Sequence, residues 1–261
     1  MKLVSDLFQI HLSQFAILMR KILPNLFTLS GALAGLIAIF LLVQEDQTGK
    51  LLLASKLILI AILFDALDGY TARHFRVTSK FGIQLDALSD LLSCGIAPSL
   101  LLFQMTRERF PDLGILVAIL LPLFAMIRLA RSLAKGRNQG EKVYRGLPLP
   151  ILGSSISLLV LFTKGMPLGA SWVLFSILLM GILLMTDLHY PKIIYKKGIG
   201  WTVYASLLFL LFLPEPSFLA GLLLFLGGSY ILFGFTFTYR HHRQNKKMEF
   251  EILPTPVEKP R

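Results

Sequence analysis

Asp65-Ala66-Leu67-Asp68-Gly69-Tyr70-Thr71-Ala72-Arg73 is followed, eight residues on, by Gly82-Ile83-Gln84-Leu85-Asp86-Ala87-Leu88-Ser89-Asp90. Four carboxylates stand within 26 residues, each at the border of an apolar run. Asp65 and Asp68 are three apart, and Asp86 and Asp90 are four apart. On helices, both spacings place the pair on one face. The two helices are consecutive, so the basic loop between them holds the pairs together at one depth.

The sequence on either side says what that depth is. Hydrophobic types make up 55% of the 261 residues and charged types only 16%. Soluble domains carry about 25% charged residues, so a water-soluble globule and a disordered chain are both excluded. A single Cys rules out an intrachain disulfide and any Cys-based metal site. Eight apolar segments are long enough to be membrane spans: 26–43, 51–67, 86–105, 113–133, 147–163, 169–186, 198–213 and 217–238. The expected fold is therefore all-α and integral to the membrane.

Of the 26 Lys and Arg residues, 21 fall on one side of this topology and 4 on the other, with Lys56 inside a span. Basic residues collect on the cytoplasmic side, so both termini and the aspartates are expected there, in the cell or inner membrane. The net charge of +11 has the same origin, and no nucleic-acid partner is implied. Residues 1–24 repeat apolar types at helical spacing, from Val4 to Ile22. They are expected to form an interfacial amphipathic helix ending at Pro24. Residues 241–261 are polar, with three prolines, and are expected to form a flexible tail.

Facing carboxylates repel in a low-dielectric site and need protons or divalent cations to neutralise them. Oxygen-only ligands favour Mg²⁺, Mn²⁺ or Ca²⁺, and two such ions can clamp a phosphoryl group. Caps and salt bridges to Arg73, Arg76 and Lys80 are the structural alternative. They account for one or two aspartates, not four. Gly69 and Gly82 allow close backbone approach, and Arg73 offers a fork for phosphate. A cation transporter would use such carboxylates near the midplane, whereas these lie at span ends.

The pattern Asp-x-x-Asp-Gly-x-x-Ala-Arg, eight residues, Gly-x-x-x-Asp-x-x-x-Asp resembles the signature of the CDP-alcohol phosphatidyltransferases at every fixed position. The resemblance implies transfer of a phosphatidyl group from CDP-diacylglycerol to an alcohol, with CMP released. It also implies a six-helix core over residues 25–192, a homodimer among membrane lipids, and two divalent ions, Mg²⁺ or Mn²⁺. Residues 193–240 would then be two additional spans. As metal ligands it implies Asp65, Asp68, Asp86 and Asp90, with Asp90 also the catalytic base. Asp65, Gly69, Ala72, Arg73 and Gly82 would hold CDP.

Three flanking stretches resemble the serine-using members: Pro24 to Leu29, Phe81 to Pro98, and Arg128-Leu129-Ala130-Arg131 with Gly146 to Pro150. They imply L-serine as acceptor. Glycerol-phosphate-using members usually show Pro and Lys where Ala87 and Leu91 stand, while Ala87 and Ser89 occupy places where serine-using members often read Ser and Ala. Glycerol 3-phosphate and inositol phosphate are the alternative acceptors. Arg128 and Arg131, three apart, either bind the serine carboxylate or reach lipid headgroups. Asn25 either reaches the site or caps the first helix.

An impermeant thiol reagent applied to intact cells should label single cysteines placed near Gly49, Pro111 and Glu215. It should leave His242→Cys untouched; labelling of that variant overturns the topology.

Overall fold

The structure, a computed structural model, describes residues 2–44, 48–134, 143–163, 171–186, 188–191, 206, 209–210, 213, 217–232 and 234. Seven helices are described: α1 Lys2–Val43, α2 Thr48–Phe75, α3 Lys80–Thr106, α4 Pro111–Ala134, α5 Leu149–Phe162, α6 Ser171–Met185 and α7 Ser217–Leu232. Two three-residue strands, β1 Val143–Arg145 and β2 His189–Pro191, pair antiparallel with Tyr144 opposite Tyr190. The span expected at 198–213 and the tail at 241–261 lie almost wholly outside the described residues.

Among the described helices, Ile22–Val43, Lys80–Thr106 and Pro111–Ala134 are each long and apolar enough to cross a membrane. Their outward faces require it. Phe40, Phe81 and Ile119 are 68%, 64% and 57% exposed. Large apolar patches of this kind are a liability in water and ordinary against lipid. The protein is an integral membrane protein. Its interior is a continuous apolar core with Leu42, Ile58, Leu101, Leu121 and Ile156 fully covered.

The first helix departs from expectation. It does not end at Pro24; the backbone stays helical through it, with Pro24 buried. Proline lacks one donor and disturbs one turn, and the apolar pattern on both sides carries the helix on. At about 1.5 Å per residue the 42 residues reach roughly 63 Å, about twice the hydrocarbon thickness. The apolar span therefore begins at Ile22, and the helix before it extends past the membrane core. The side chains of residues 2–18, on which the amphipathic reading rests, lie outside the described set.

Helix α3 holds the feature that orients the site. Between Leu91 and Ile96 it widens into a π turn, and the Ala97 N–H donates to Leu92 O, five residues back. One extra residue rotates everything downstream by about 100° relative to a regular helix. Asp86 and Asp90 can then face one direction while Ala97, Leu101 and Leu102 point into the core. Two glycines on neighbouring helices close around this turn. A Cβ on Gly35 of α1 would lie 3.0 Å from the Ser93 Cα, and one on Gly153 of α5 would lie 3.1 Å from the Cys94 Cα. Small residues let membrane helices meet backbone to backbone.

The chain between α4 and α5 is drawn against the end of α6. The Gly146 N–H donates to Leu188 O (2.8 Å) and the Leu147 N–H to Leu183 O (3.2 Å). Gly146 has φ +76, and a Cβ there would fall 2.6 Å from Leu184 O. Only glycine fits without moving backbone.

Gly153→Leu should lower the melting temperature in detergent markedly, since overpacking costs about 1–3 kcal/mol or more. Gly49→Ala, with open space around it, should leave the melting temperature within error. Equal effects would show that the contact with Cys94 does not constrain the fold.

Candidate active site

The C-terminal part of α2, the start of α3 and the stretch of α1 around Thr28 meet at the aspartates. Asp65 and Asp68 lie on α2, and Asp86 and Asp90 on α3. One carboxylate oxygen from each of Asp65, Asp68 and Asp86 lies within 4.8 Å of the others. Asp90 is one helical turn beyond Asp86, near enough to Asp65 for their charges to repel. At an effective dielectric of about 20, like charges this close repel by about 3 kcal/mol per pair. The cluster thus demands a counter-charge. Its donors are all hard oxygens, and the two helices converge, so the set fits a divalent cation.

Asp68 is the most enclosed of the four, 6% exposed. The Thr28 hydroxyl on α1 donates to its Oδ2 at 2.6 Å. Thr28 is itself buried, and its Oγ also lies 3.0 Å from Pro24 O. Ser89, between the two aspartates of α3, donates to the Thr28 carbonyl at 3.0 Å. Ser93 in the π turn donates in turn to Ser89 O at 2.8 Å. A line of hydrogen bonds therefore runs from α3 through α1 to a carboxylate on α2.

The basic loop supplies a rim. Helix α2 ends with the Val77 N–H donating to Ala72 O (3.0 Å), and Arg76 adopts φ 54 at the turn. Glycine usually takes such a position. Helix α3 starts with the Ser79 hydroxyl accepting from the Gly82 N–H at 2.9 Å. A Cβ on Gly69 would lie 3.1 Å from Arg73 Nη1, so the absent side chain makes room for the guanidinium. A Cβ on Gly82 would lie 3.1 Å from both Asn25 Oδ1 and Ser79 Oγ. Of the two readings of Asn25, the structure places its amide at the α3 entrance.

Residues 21–189 match the CDP-alcohol phosphatidyltransferase family. The chain belongs to that family. A CDP-diacylglycerol–serine O-phosphatidyltransferase of Methanocaldococcus jannaschii is 35% identical over 193 residues, covering 73% of this chain and 83% of its own. One from Helicobacter pylori is 32% identical over 194 residues, 73% and 79% of the two chains. An archaetidylserine synthase of Methanothermobacter thermautotrophicus is 33% identical over 174 residues, 66% and 70%. In this phosphatidyltransferase, three of the four signature aspartates, Asp65, Asp68 and Asp86, are the ones that the fold gathers.

Arg128 and Arg131 lie near the end of α4. One Nη2–H of Arg131 donates to Met185 O at 2.8 Å, closing the end of α6. Part of its donor fork is thus structural, which helix periodicity did not reveal. Sequence reasoning also gave no site role to Thr28 or Ser89. The available signal was weak: a hydroxyl three residues after Asn25 in an apolar run, and a serine between two aspartates.

Asp86→Asn should weaken Mn²⁺ binding and lower CMP release at least about 100-fold, because one of the clustered carboxylate donors is lost. Excess chelator should abolish turnover of the unaltered protein. Full turnover in chelator would remove the metal account.

Proposed function

We propose that the protein transfers the phosphatidyl group of CDP-diacylglycerol to the hydroxyl of L-serine, giving phosphatidylserine and CMP. What supports this reading most is the gathering of Asp65, Asp68 and Asp86, with Gly69 making room for Arg73 on the same helix as Asp65 and Asp68. The relatives named as serine phosphatidyltransferases support the acceptor.

In this reading Asp65, Asp68, Asp86 and Asp90 hold two divalent ions, Mg²⁺ or Mn²⁺. Such ions, when bound, offset charge on the pyrophosphate and on the departing CMP. Gly69, Ala72, Arg73 and Gly82, with Asp65, form the nucleotide cradle. The serine oxygen bonds to the phosphatidyl phosphorus as the phosphorus–oxygen bond to CMP breaks. Asp90 takes the serine proton. A carboxylate beside cations is a weak base, so the hydroxyl must sit within about 3 Å of it. Arg128 and Arg131 receive the serine carboxylate, with the Met185 carbonyl fixing the Arg131 plane.

The same reading includes eight spans with both termini and the active site cytoplasmic, and a homodimer. Residues 25–192 form the six-span core, 193–240 add two spans, and 241–261 form a tail. The alternation of basic loops supports the topology. The decisive assay measures CMP release by purified protein with CDP-diacylglycerol and Mn²⁺ or Mg²⁺ against serine, glycerol 3-phosphate and inositol phosphate. Consumption of glycerol 3-phosphate but not serine would change the acceptor and keep the reaction class.

Arg131→Ala should raise the serine KM or lower kcat/KM by roughly tenfold to a hundredfold, since a charge-assisted hydrogen bond contributes about 1.5–3 kcal/mol. The KM for CDP-diacylglycerol should move much less. Equal weakening of both substrates would assign Arg131 to the fold alone, through Met185.

A further inference from the structure

We infer that Thr28 is a positioning residue for the metal site, acting through Asp68 and itself held in register by Ser89. The inference rests on the reading of Asp68 as a metal ligand. Thr28 lies on α1, outside the signature that α2 and α3 carry.

Thr28 has one hydroxyl proton and two acceptors within reach, Asp68 Oδ2 at 2.6 Å and Pro24 O at 3.0 Å. The carboxylate is the stronger acceptor, and 2.6 Å is the length of a charge-assisted O–H···O⁻ bond. A helical threonine places its hydroxyl over the carbonyl four residues back, and the direction is therefore set by the helix. Asp68 then has one lone pair of Oδ2 committed to Thr28. That bond fixes the plane in which the carboxylate presents its oxygens. Partners of this kind orient ligating carboxylates, and their loss typically costs about 10–100-fold in metal affinity or activity.

Direction alone is insufficient if α1 slides against α3. The Ser89 hydroxyl, 7% exposed, grips the Thr28 carbonyl at 3.0 Å, and Ser93 grips Ser89 O. Gly31, one turn after Thr28, keeps the approach close. A Cβ there would lie 3.3 Å from Ala61 O and 3.6 Å from Ser89 Oγ. Three helices thus set the angle of one carboxylate.

The experiment is direct Mn²⁺ binding to the purified full chain in detergent, read as loss of the free-ion electron paramagnetic resonance signal. The metal-free melting temperature is measured alongside. Thr28→Val, which keeps the shape and removes the donor, should weaken Mn²⁺ binding about 10–100-fold with the metal-free melting temperature nearly unchanged. Thr28→Ser should restore binding to within about threefold of the unaltered protein. Ser89→Ala should fall between Thr28→Val and the unaltered protein. Thr28→Ala removes the same hydroxyl and replaces Thr28→Val if the latter does not fold. Unchanged binding in the folded hydroxyl-free variant, or a Thr28→Ser as impaired as it, overturns the inference. Asp68→Asn is the control for the underlying reading: if it too binds Mn²⁺ normally, Asp68 is not a ligand. If Asp68→Asn loses binding while Thr28→Val keeps it, only the role of Thr28 fails.

Discussion

Mutual repulsion among carboxylates at the edge of an apolar bundle is the constraint on which this structure turns. Three carboxylate oxygens within 4.8 Å are not tolerable beside hydrocarbon unless protons or a cation neutralise them. Their gathering therefore had to be built into the fold against its own electrostatics. Apolar packing supplies that. Helices α1 and α5 close on α3 through Gly35 and Gly153, and the π turn rotates the acidic end of α3 independently of its core-facing half.

The same constraint explains how much the sequence reveals. Asp65, Asp68, Asp86 and Asp90 are legible because helix periodicity is local, and a three- or four-residue spacing fixes the shared face. Helices α2 and α3 follow from the apolar runs on either side of the loop. Contacts between distant segments are not legible in this way. Thr28 meets Asp68 across 40 residues, Ser89 meets Thr28 across 61, and Arg131 meets Met185 across 54. Each joins helices whose relative rotation no local pattern encodes. The π turn escaped notice for a related reason: Leu91–Ile96 is apolar enough to read as ordinary helix, and only the close approach of Gly35 and Gly153 shows its use. Pro24 was misread because a proline signals a boundary more often than a continuation, and here burial on α1 outweighs the lost donor.

Placement at the helix ends, rather than at the midplane, separates this site from an ion pathway. Its two substrates arrive from different phases, one in the bilayer and one in water. Helix α3 is suited to that boundary. Phe81 and Leu88 are 64% and 61% exposed, and they flank the turn whose other side carries Asp86. Leu67 and Tyr70 do the same for α2 beside Asp68. One face of each helix is thus compatible with acyl chains while the other presents carboxylates. A phosphate-bearing lipid headgroup can reach those carboxylates without its tails leaving the membrane, because the apolar and acidic faces are separated by half a helical turn. A transport site has no use for that arrangement, since its ligand must lose contact with both surfaces. The lipid-facing exposure beside the aspartates is therefore an argument for the phosphatidyl substrate independent of the signature itself.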